Sequence, residues 1–275
     1  MEFLLKPLTY VFIQKGLIAS FLIGITCATL GIYVVLRRMA FIGHALAHSA
    51  LPGLVIAYLL GGNLFIGAML ATLVTAVGIG AISKDDSVYE DTAIGIMPTA
   101  MFAFGILLIS TTKSFRDLSA MLFGNILGIT NADMIWIVGL TVTVIAILFF
   151  FRKELELFSV DPVYAKSIGI KISLLRYALL ILLAMTVVVG IQAVGTILTN
   201  ALLILPVATA RLLTNRLRDA IAWACFFAVS SGILGIYASY YLNCSSGAAI
   251  IIICFVFFLT VWLVRYFKKK FGTKN

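Results

Sequence analysis

The stretch GLIASFLIGITCATLGIYVVLRR, residues 16–38, is a long apolar run that ends at a pair of arginines. About 20 apolar residues in a helix cross the hydrocarbon core of a bilayer, so this run predicts a membrane-spanning helix. Comparable runs follow along the chain. Together they predict nine spans, at about 16–36, 40–60, 64–82, 92–111, 133–151, 176–193, 195–213, 220–241 and 247–264. The sequence therefore predicts an all-α, polytopic transmembrane helical bundle formed by one domain, residues 1–275.

The bulk composition excludes a soluble domain. Hydrophobic residues make up 63% of the chain and charged residues 11%, with a mean hydropathy of +1.15. A soluble domain carries about 25% charged residues. The net charge of +9 is spread between the apolar runs and forms no basic face. The charges therefore predict topology in a lipid bilayer and no nucleic-acid partner.

The basic residues also predict the orientation of the bundle. If Arg37 and Arg38 face the cytoplasm, strict alternation of nine spans leaves only four of the 20 Lys and Arg residues outside: Lys6, Lys15, Lys113 and Arg116. Short cytoplasmic loops are enriched in basic residues, so we expect a multi-pass protein of the cell inner membrane with an extracytoplasmic N-terminus and a cytoplasmic C-terminus. The turn near residues 190–197 carries no charge. A single broken helix there, and eight spans, is the alternative.

Both histidines of the chain stand four residues apart in FIGHALAHSALPG, residues 41–53, inside the second predicted span. Residues i and i+4 share one helix face, with Cβ atoms about 6 Å apart, so His44 and His48 can converge on one cation. The LPG that follows is expected to distort the helix, which a membrane tolerates only beside protein or a water-filled cavity. The pair is therefore predicted to bind a metal, because ionisable groups inside a membrane are usually functional. Two histidines held by interhelical hydrogen bonds are the alternative.

The segment HALAH has the histidine spacing of HExxH, the helix of zinc hydrolases, whose glutamate acts as general base. Ala45 occupies the position of that glutamate. We therefore predict no catalytic site in this chain. It also lacks the GxxxxGK[ST] loop that holds nucleotide phosphates, so its energy source must be a gradient or another subunit.

Five segments resemble one family of membrane proteins, in the family's order. LRRMAFIGHALAHSALPG (36–53) is similar to the signature of the membrane-spanning permease subunit of bacterial manganese/zinc/iron ABC importers, which commonly reads LRRMSFIGDALSHAALPG. The other segments are EDTAIGI (90–96), LFGNILGIT (122–130), DPVYAKSIGI (161–170) and VGTILTNALLILPVATARLL (194–213). The resemblance runs from about residue 16 to the C-terminus, and it implies an architecture related to the siderophore/cobalamin ABC permeases.

One position departs from the family's pattern. Residue 44 is often aspartate in this family and is histidine here. A neutral imidazole in place of a hard anionic oxygen shifts the ligand set toward metals that favour nitrogen, such as zinc, rather than manganese. The transported ion is expected to be divalent zinc, manganese or iron, and no permanently bound cofactor is expected.

Three further polar residues are candidates for the transport path. The resemblance implies that Glu90 and Asp91, at the start of the fourth span, belong to an exit path for the metal. Capping is the alternative, because carboxylates in a first turn favour the positive end of the helix dipole. Asn200 in the seventh span is a candidate for lining the path, although asparagine in a membrane helix more often hydrogen-bonds between helices.

The largest polar insert, residues 152–175, is predicted to lie in the cytoplasm. Asp161 and Pro162 supply the cap and first position of a short helix, Ala165 offers a small face, and Gly169 ends the helix. A plain surface loop is the alternative. The resemblance implies a coupling helix that docks into a groove on a separate ATPase subunit.

The resemblance implies the permease subunit of an ATP-driven ABC importer that moves a divalent transition metal into the cytoplasm. Its partners would be a second copy of itself, two ATP-binding subunits and an extracytoplasmic metal-binding protein. An ABC permease for a metal chelate, such as a siderophore or cobalamin, would have no use for a histidine pair at metal-ligand spacing. A gradient-driven secondary carrier would need intramembrane acidic residues, of which the predicted spans contain almost none.

Overall fold

The computed structural model of the chain describes residues 6–84, 88–110 and 126–271. Its helices, in chain order, are α1 (Val11–Leu36), α2 (Ile42–Ser49), α3 (Leu51–Leu59), α4 (Leu64–Ile82), α5 (Glu90–Ser110), α6 (Asn131–Phe150), α7 (Arg152–Val160), α8 (Pro162–Ser167), α9 (Ile172–Val194), α10 (Thr196–Leu213), α11 (Leu217–Leu242) and α12 (Ser246–Phe271). Short 3-10 turns cover Pro7–Thr9 and Ile126–Gly128, and no strand occurs among these described residues. The predicted all-α class is confirmed.

Nine units in the described part of the chain are long and apolar enough to cross a membrane. α2 and α3 together form one of them, Ile42–Leu59, while α1, α4, α5, α6, α9, α10, α11 and α12 form the others. The first span begins at Val11 rather than near residue 16. The prediction of nine spans in a multi-pass membrane protein is confirmed.

Gly195 turns the chain between α9 and α10. Its φ of 92° lies in the left-handed region that favours glycine, and its N–H donates to the carbonyl oxygens of Gly190 and Ile191. A Cβ added at Gly190 would overlap the side chain of Thr199, so α10 folds back against the end of α9. α9 and α10 are therefore two helices, each long and apolar enough to cross a membrane, and the structure favours nine spans over eight with one broken helix.

Contacts between helix ends define one face of the bundle. Arg37, at the end of α1, contacts Glu90 at the start of α5. Arg176, near the start of α9, donates to the carbonyl oxygen of Ser83 at the end of α4. We call the side of the bundle that carries these four residues the arginine face.

The opposite ends of α1 and α9 meet ends of α11 and α6 on what we call the tyrosine face. The ring centroids of Tyr10 and Tyr240 lie 6.0 Å apart, at the start of α1 and near the end of α11. Gln192 Nε2, near the end of α9, donates to Asp133 Oδ1 at the start of α6, over 2.8 Å. The ends that these contacts place, on α1, α4, α5, α6, α9 and α11, alternate between the two faces along the chain, as successive membrane crossings require.

The helix of the second span is interrupted between α2 and α3. The Ala50 N–H donates to the Ala47 carbonyl oxygen over 3.4 Å, and Pro52 has no N–H to donate, so the regular hydrogen-bond pattern is interrupted. This confirms the distortion predicted from the LPG segment. Gly53 then packs so closely on Gly67 of α4 that a Cβ at either glycine would overlap the carbonyl oxygen of the other. Small residues thereby bring α3 and α4 into contact.

Cys244 and Asn215 lie in exposed turns on opposite faces of the bundle. An impermeant thiol reagent applied to one side of the membrane should therefore label wild-type Cys244 or the variant Cys244→Ser/Asn215→Cys, but never both. Labelling of intact cells and of inverted membrane vesicles measures this. The single variant Cys244→Ser, which keeps only buried and half-buried cysteines, is the control. Labelling of both positions from the same side would contradict the alternation of helix ends.

Candidate metal site and docking helix

His44 and His48 face each other on α2. Their Nε2 atoms lie 3.1 Å apart, and their rings meet edge to face with centroids 4.5 Å apart. Two nitrogens at this separation, each about 2.1 Å from one ion, would subtend about 95° at that ion, between the octahedral and tetrahedral angles. The spacing of four thus places both rings on one face, as the sequence predicts. Metal binding by the pair stays a prediction.

The protonation of the two rings determines what the pair can do. Without an ion the rings can share one hydrogen bond, with one Nε2 as donor and the other as acceptor. When both rings are neutral and carry their protons on Nδ1, both Nε2 lone pairs become available. That form has the two adjacent nitrogen donors that a divalent transition metal requires.

The pair opens onto a cavity of about 440 Å³ between α2 and α5. Asp91 of α5 lines the same cavity, and the Phe102 ring contacts His48 with centroids 5.0 Å apart. Asp91 and the two histidines therefore line one cavity. Among the residues that the structure describes, no group of three or more His, Cys, Asp or Glu side chains is close enough to hold an ion. In this conformation the two imidazoles are the side chains positioned to bind an ion.

The buried side of α2 fixes the direction in which the histidines point. Ile42 and Leu46 are fully buried, and a Cβ added at Gly43 would overlap Asn200 Oδ1 of α10. Asn200 therefore packs against the helix that carries the pair and is not among the residues that line the cavity. This is the contact of a polar residue held between helices, and its role in a transport path stays a prediction.

Glu90 turns away from the cavity, although Asp91 beside it lines the cavity. The Glu90 carboxylate pairs with Arg37, and its Oε1 lies 4.0 Å from Arg176 Nε. Successive helix residues are rotated by about 100°, which explains why the two carboxylates have different surroundings. A path role for Glu90 stays a prediction, but its observed partners are two guanidinium groups on the arginine face.

The ends of α8 follow the predicted chemistry. Asp161 Oδ1 accepts a hydrogen bond from the Tyr164 N–H over 2.9 Å, and Pro162 occupies the first helical position. Gly169, with φ of 85°, lies just beyond the helix and reverses the chain. Asp161 and Gly169 therefore shape the predicted coupling helix.

The outward side of α8 differs from the prediction. Ala165 is fully buried within the chain itself, so it does not lie on the exposed surface where docking was predicted. The exposed side instead carries Val163, Tyr164 and Ile168, with 79%, 55% and 53% of their surface accessible. We call these three residues the docking patch.

Sequence reasoning missed the contacts of Arg37 with the rest of the arginine face. The sequence marks Arg37 only as a topology signal next to an apolar run. In the structure it contacts Glu90 and Phe158, which are distant in sequence. No local pattern could have identified these partners.

Family models place the chain among known transport proteins. Residues 9–265 match the model described as the ABC 3 transport family. The chain belongs to the ABC 3 transport family. Its sequence is 41% identical over 263 residues to the manganese transport system membrane protein MntC of Listeria monocytogenes, with coverage of 96% of this chain and 94% of that protein. The resemblance carried by the five segments is confirmed.

Solved structures confirm the fold of this ABC 3 member. A chain of PsaBC from Streptococcus pneumoniae, solved in complex with Fab, superposes with a TM-score of 0.81 at 35% identity, over 95% of this chain and 94% of that one. An inward-facing metal-chelate type ABC transporter gives a TM-score of 0.71 at 18% identity, over 93% of this chain and 85% of that one. The second likeness concerns the fold alone. It agrees with the predicted architecture.

Proposed function

We propose that this chain is the permease subunit of an ATP-driven importer that moves a divalent transition metal into the cytoplasm. The observation that carries the proposal is the histidine pair. In this member of the ABC 3 transport family, two imidazole nitrogens of the second span lie 3.1 Å apart and face the cavity between α2 and α5. Such a site binds an ion with few protein ligands, so the ion can also leave it in each transport cycle.

The ligand set limits the cargo. Two imidazoles, with Asp91 on the same cavity, combine nitrogen and oxygen donors of the kind that zinc, manganese and iron accept. MntC of Listeria monocytogenes is named for manganese, and His44 in place of the family's commoner aspartate favours zinc. Water, Asp91 after a movement of α5, or a second copy of the chain would complete the coordination.

The positions of the carboxylates argue against a gradient-driven carrier. Every Asp and Glu in the nine spanning helices lies in the first turn of its helix: Glu90, Asp91, Asp133 and Asp219. A proton-coupled carrier would place ionisable carboxylates deep in the membrane. Energy from a separate ATPase subunit is the better account of this arrangement.

The assembly we propose contains two copies of the chain, two ATP-binding subunits and an extracytoplasmic metal-binding protein. The docking patch on α8 supports the ATPase contact, because three neighbouring apolar side chains there are exposed on a polar insert. The arginine face is the cytoplasmic face, because it carries Arg37 and Arg176 and the polar helices α7 and α8. Cys244, on the opposite face, is then the position that intact cells expose to the reagent.

Replacing either histidine should stop transport. In cells that lack their own importers, His44→Ala and His48→Ala should each lower metal uptake by about tenfold or more. The double variant should be little worse than either single variant, because the two ligands act as one site. His44→Asp should retain transport with the preference moved from zinc toward manganese, because it supplies a hard oxygen ligand. Competition between the two metals during uptake measures the change.

Ser49→Ala, on the buried side of α2, is the matched control and should transport normally. Expression and ATPase co-purification should be unchanged in every variant. If both histidine variants import metal at the wild-type rate, the pair is only a polar contact between helices, and the assignment is wrong.

The docking patch should hold the ATPase subunit. Tyr164→Asp and Ile168→Asp would each bury an unpaired charge in the interface, so co-purification of the ATPase should fall about tenfold or more. Leu60→Asp, at an exposed apolar residue on the tyrosine face, is the control and should leave co-purification unchanged. Wild-type recovery of the ATPase with both patch variants would place the docking surface elsewhere.

A further inference from the structure

A cluster of buried charges joins several helices on the arginine face. The side chains of Arg37, Glu90 and Arg176 are only 11%, 15% and 20% exposed. One carboxylate lies between two guanidinium groups, and removing it would leave uncompensated buried charge. The cluster therefore ties the end of α1 to the starts of α5 and α9.

Arg37 also contacts the segment that leads to the docking helix. Its Nη1 donates to the Phe158 carbonyl oxygen of α7 over 3.4 Å, and its Cζ lies 3.9 Å from the centroid of the Phe158 ring. Phe158 is fully buried. One guanidinium thus holds α7 through a neutral carbonyl and a ring, and α5 through a carboxylate. The ionic contact is the stronger of the two, so α5 is expected to follow Arg37 when α7 moves.

Arg37 contacts α7, which leads to the docking patch, and α5, which leads to the cavity of the histidine pair. Asp161, three positions after Phe158, caps α8, which carries the docking patch. On α5, Asp91 directly follows Glu90 and lines the cavity of the histidine pair. The side chain of Arg37 therefore links the helix that leads to the docking patch with the helix that lines the candidate metal site.

The cluster contains groups that can accept a second arrangement. Glu90 Oε1 lies 4.0 Å from Arg176 Nε, and that nitrogen is buried without a hydrogen-bond partner among the described residues. The same holds for Arg37 Nε and, on α7, for Glu154 Oε2 and Ser159 Oγ. Buried polar atoms are normally hydrogen-bonded, so a set of unpaired ones on neighbouring elements can gain partners when the helices shift. Glu90 can then move from Arg37 toward Arg176, which is anchored on Ser83.

We propose that Arg37 is a positioning residue that couples ATPase docking to the metal site. Movement of α8 displaces Phe158 and Arg37, Arg37 displaces the first turn of α5, and Asp91 changes its position relative to the histidines. Glu90 passes between Arg37 and Arg176 as the two arrangements exchange. This inference rests on the proposed function, because it requires an ATPase on α8 and a metal at the pair.

The test measures metal ions imported per ATP hydrolysed by the complete complex in liposomes. Arg37→Lys keeps the charge but cannot hold the carboxylate, the carbonyl oxygen and the ring in one planar group. Phe158→Leu removes the aromatic ring that contacts the Arg37 guanidinium, without changing any charge. Each variant should assemble and hydrolyse ATP near the wild-type rate, while ions imported per ATP fall about tenfold, as for an allosteric coupling of typical size. Arg38→Lys, at the exposed neighbouring arginine, is the matched control and should keep the wild-type ratio.

A purely structural role for Arg37 would give a different result. ATPase activity and uptake would then fall together with the amount of assembled complex, and the ratio would stay at the wild-type value. If Arg37→Lys does not assemble, Phe158→Leu decides, and an unchanged ratio in that variant overturns the proposal. If the wild-type complex imports no metal, the proposed function itself fails. If it imports metal and both variants keep its ratio, only the role of Arg37 fails.

Discussion

Hydrocarbon offers no hydrogen-bond partner to a polar group, and this constraint governs where polar side chains lie in the protein. Many hydroxyl groups in the spans donate to a carbonyl oxygen of their own helix, as Thr72, Thr186 and Ser231 do. The histidines do not hydrogen-bond to a carbonyl oxygen of their own helix in this way. Their Nε2 atoms meet each other beside a cavity. Two adjacent nitrogen donors in apolar surroundings have a specific use as ligands of a cation, and their alternative use is a single shared hydrogen bond.

Close packing of small residues places the pair. Gly43 admits Asn200 behind α2, and Gly53 meets Gly67 behind α3, so both halves of the interrupted span lie tightly against their neighbours. The imidazoles remain as the polar side chains that protrude toward α5. Because α5 is held at its first turn by the Glu90 ion pair, the shape of the cavity depends on charges at the arginine face. Packing and electrostatics thus act on the same site from two sides.

The sequence predicted the features that depend on local patterns. Apolar runs located the nine spans, the spacing of four brought His44 and His48 together, and Asp161 with Gly169 delimited α8. The sequence did not predict features that depend on contacts between residues distant in the chain. A six-residue helix is too short for periodicity to show which side is buried, so Ala165 was expected on the outside. Glu90 and Asp91 look alike in sequence, and only the position of Arg37, far away along the chain, separates them. The turn at Gly195 depends on a positive φ. The sequence did not show this, because the segment has no charged residue to mark a turn.

The central claim is that His44 and His48 bind the transported ion, and X-ray absorption of the purified, zinc-loaded permease tests it directly. The wild-type spectrum should contain imidazole nitrogens at about 2.0–2.1 Å with the outer-shell scattering of histidine rings. The His44→Ala/His48→Ala variant should lose that signature and the bound zinc together. The same spectrum and the same zinc content in both proteins would contradict the account, because the chain contains no other histidine.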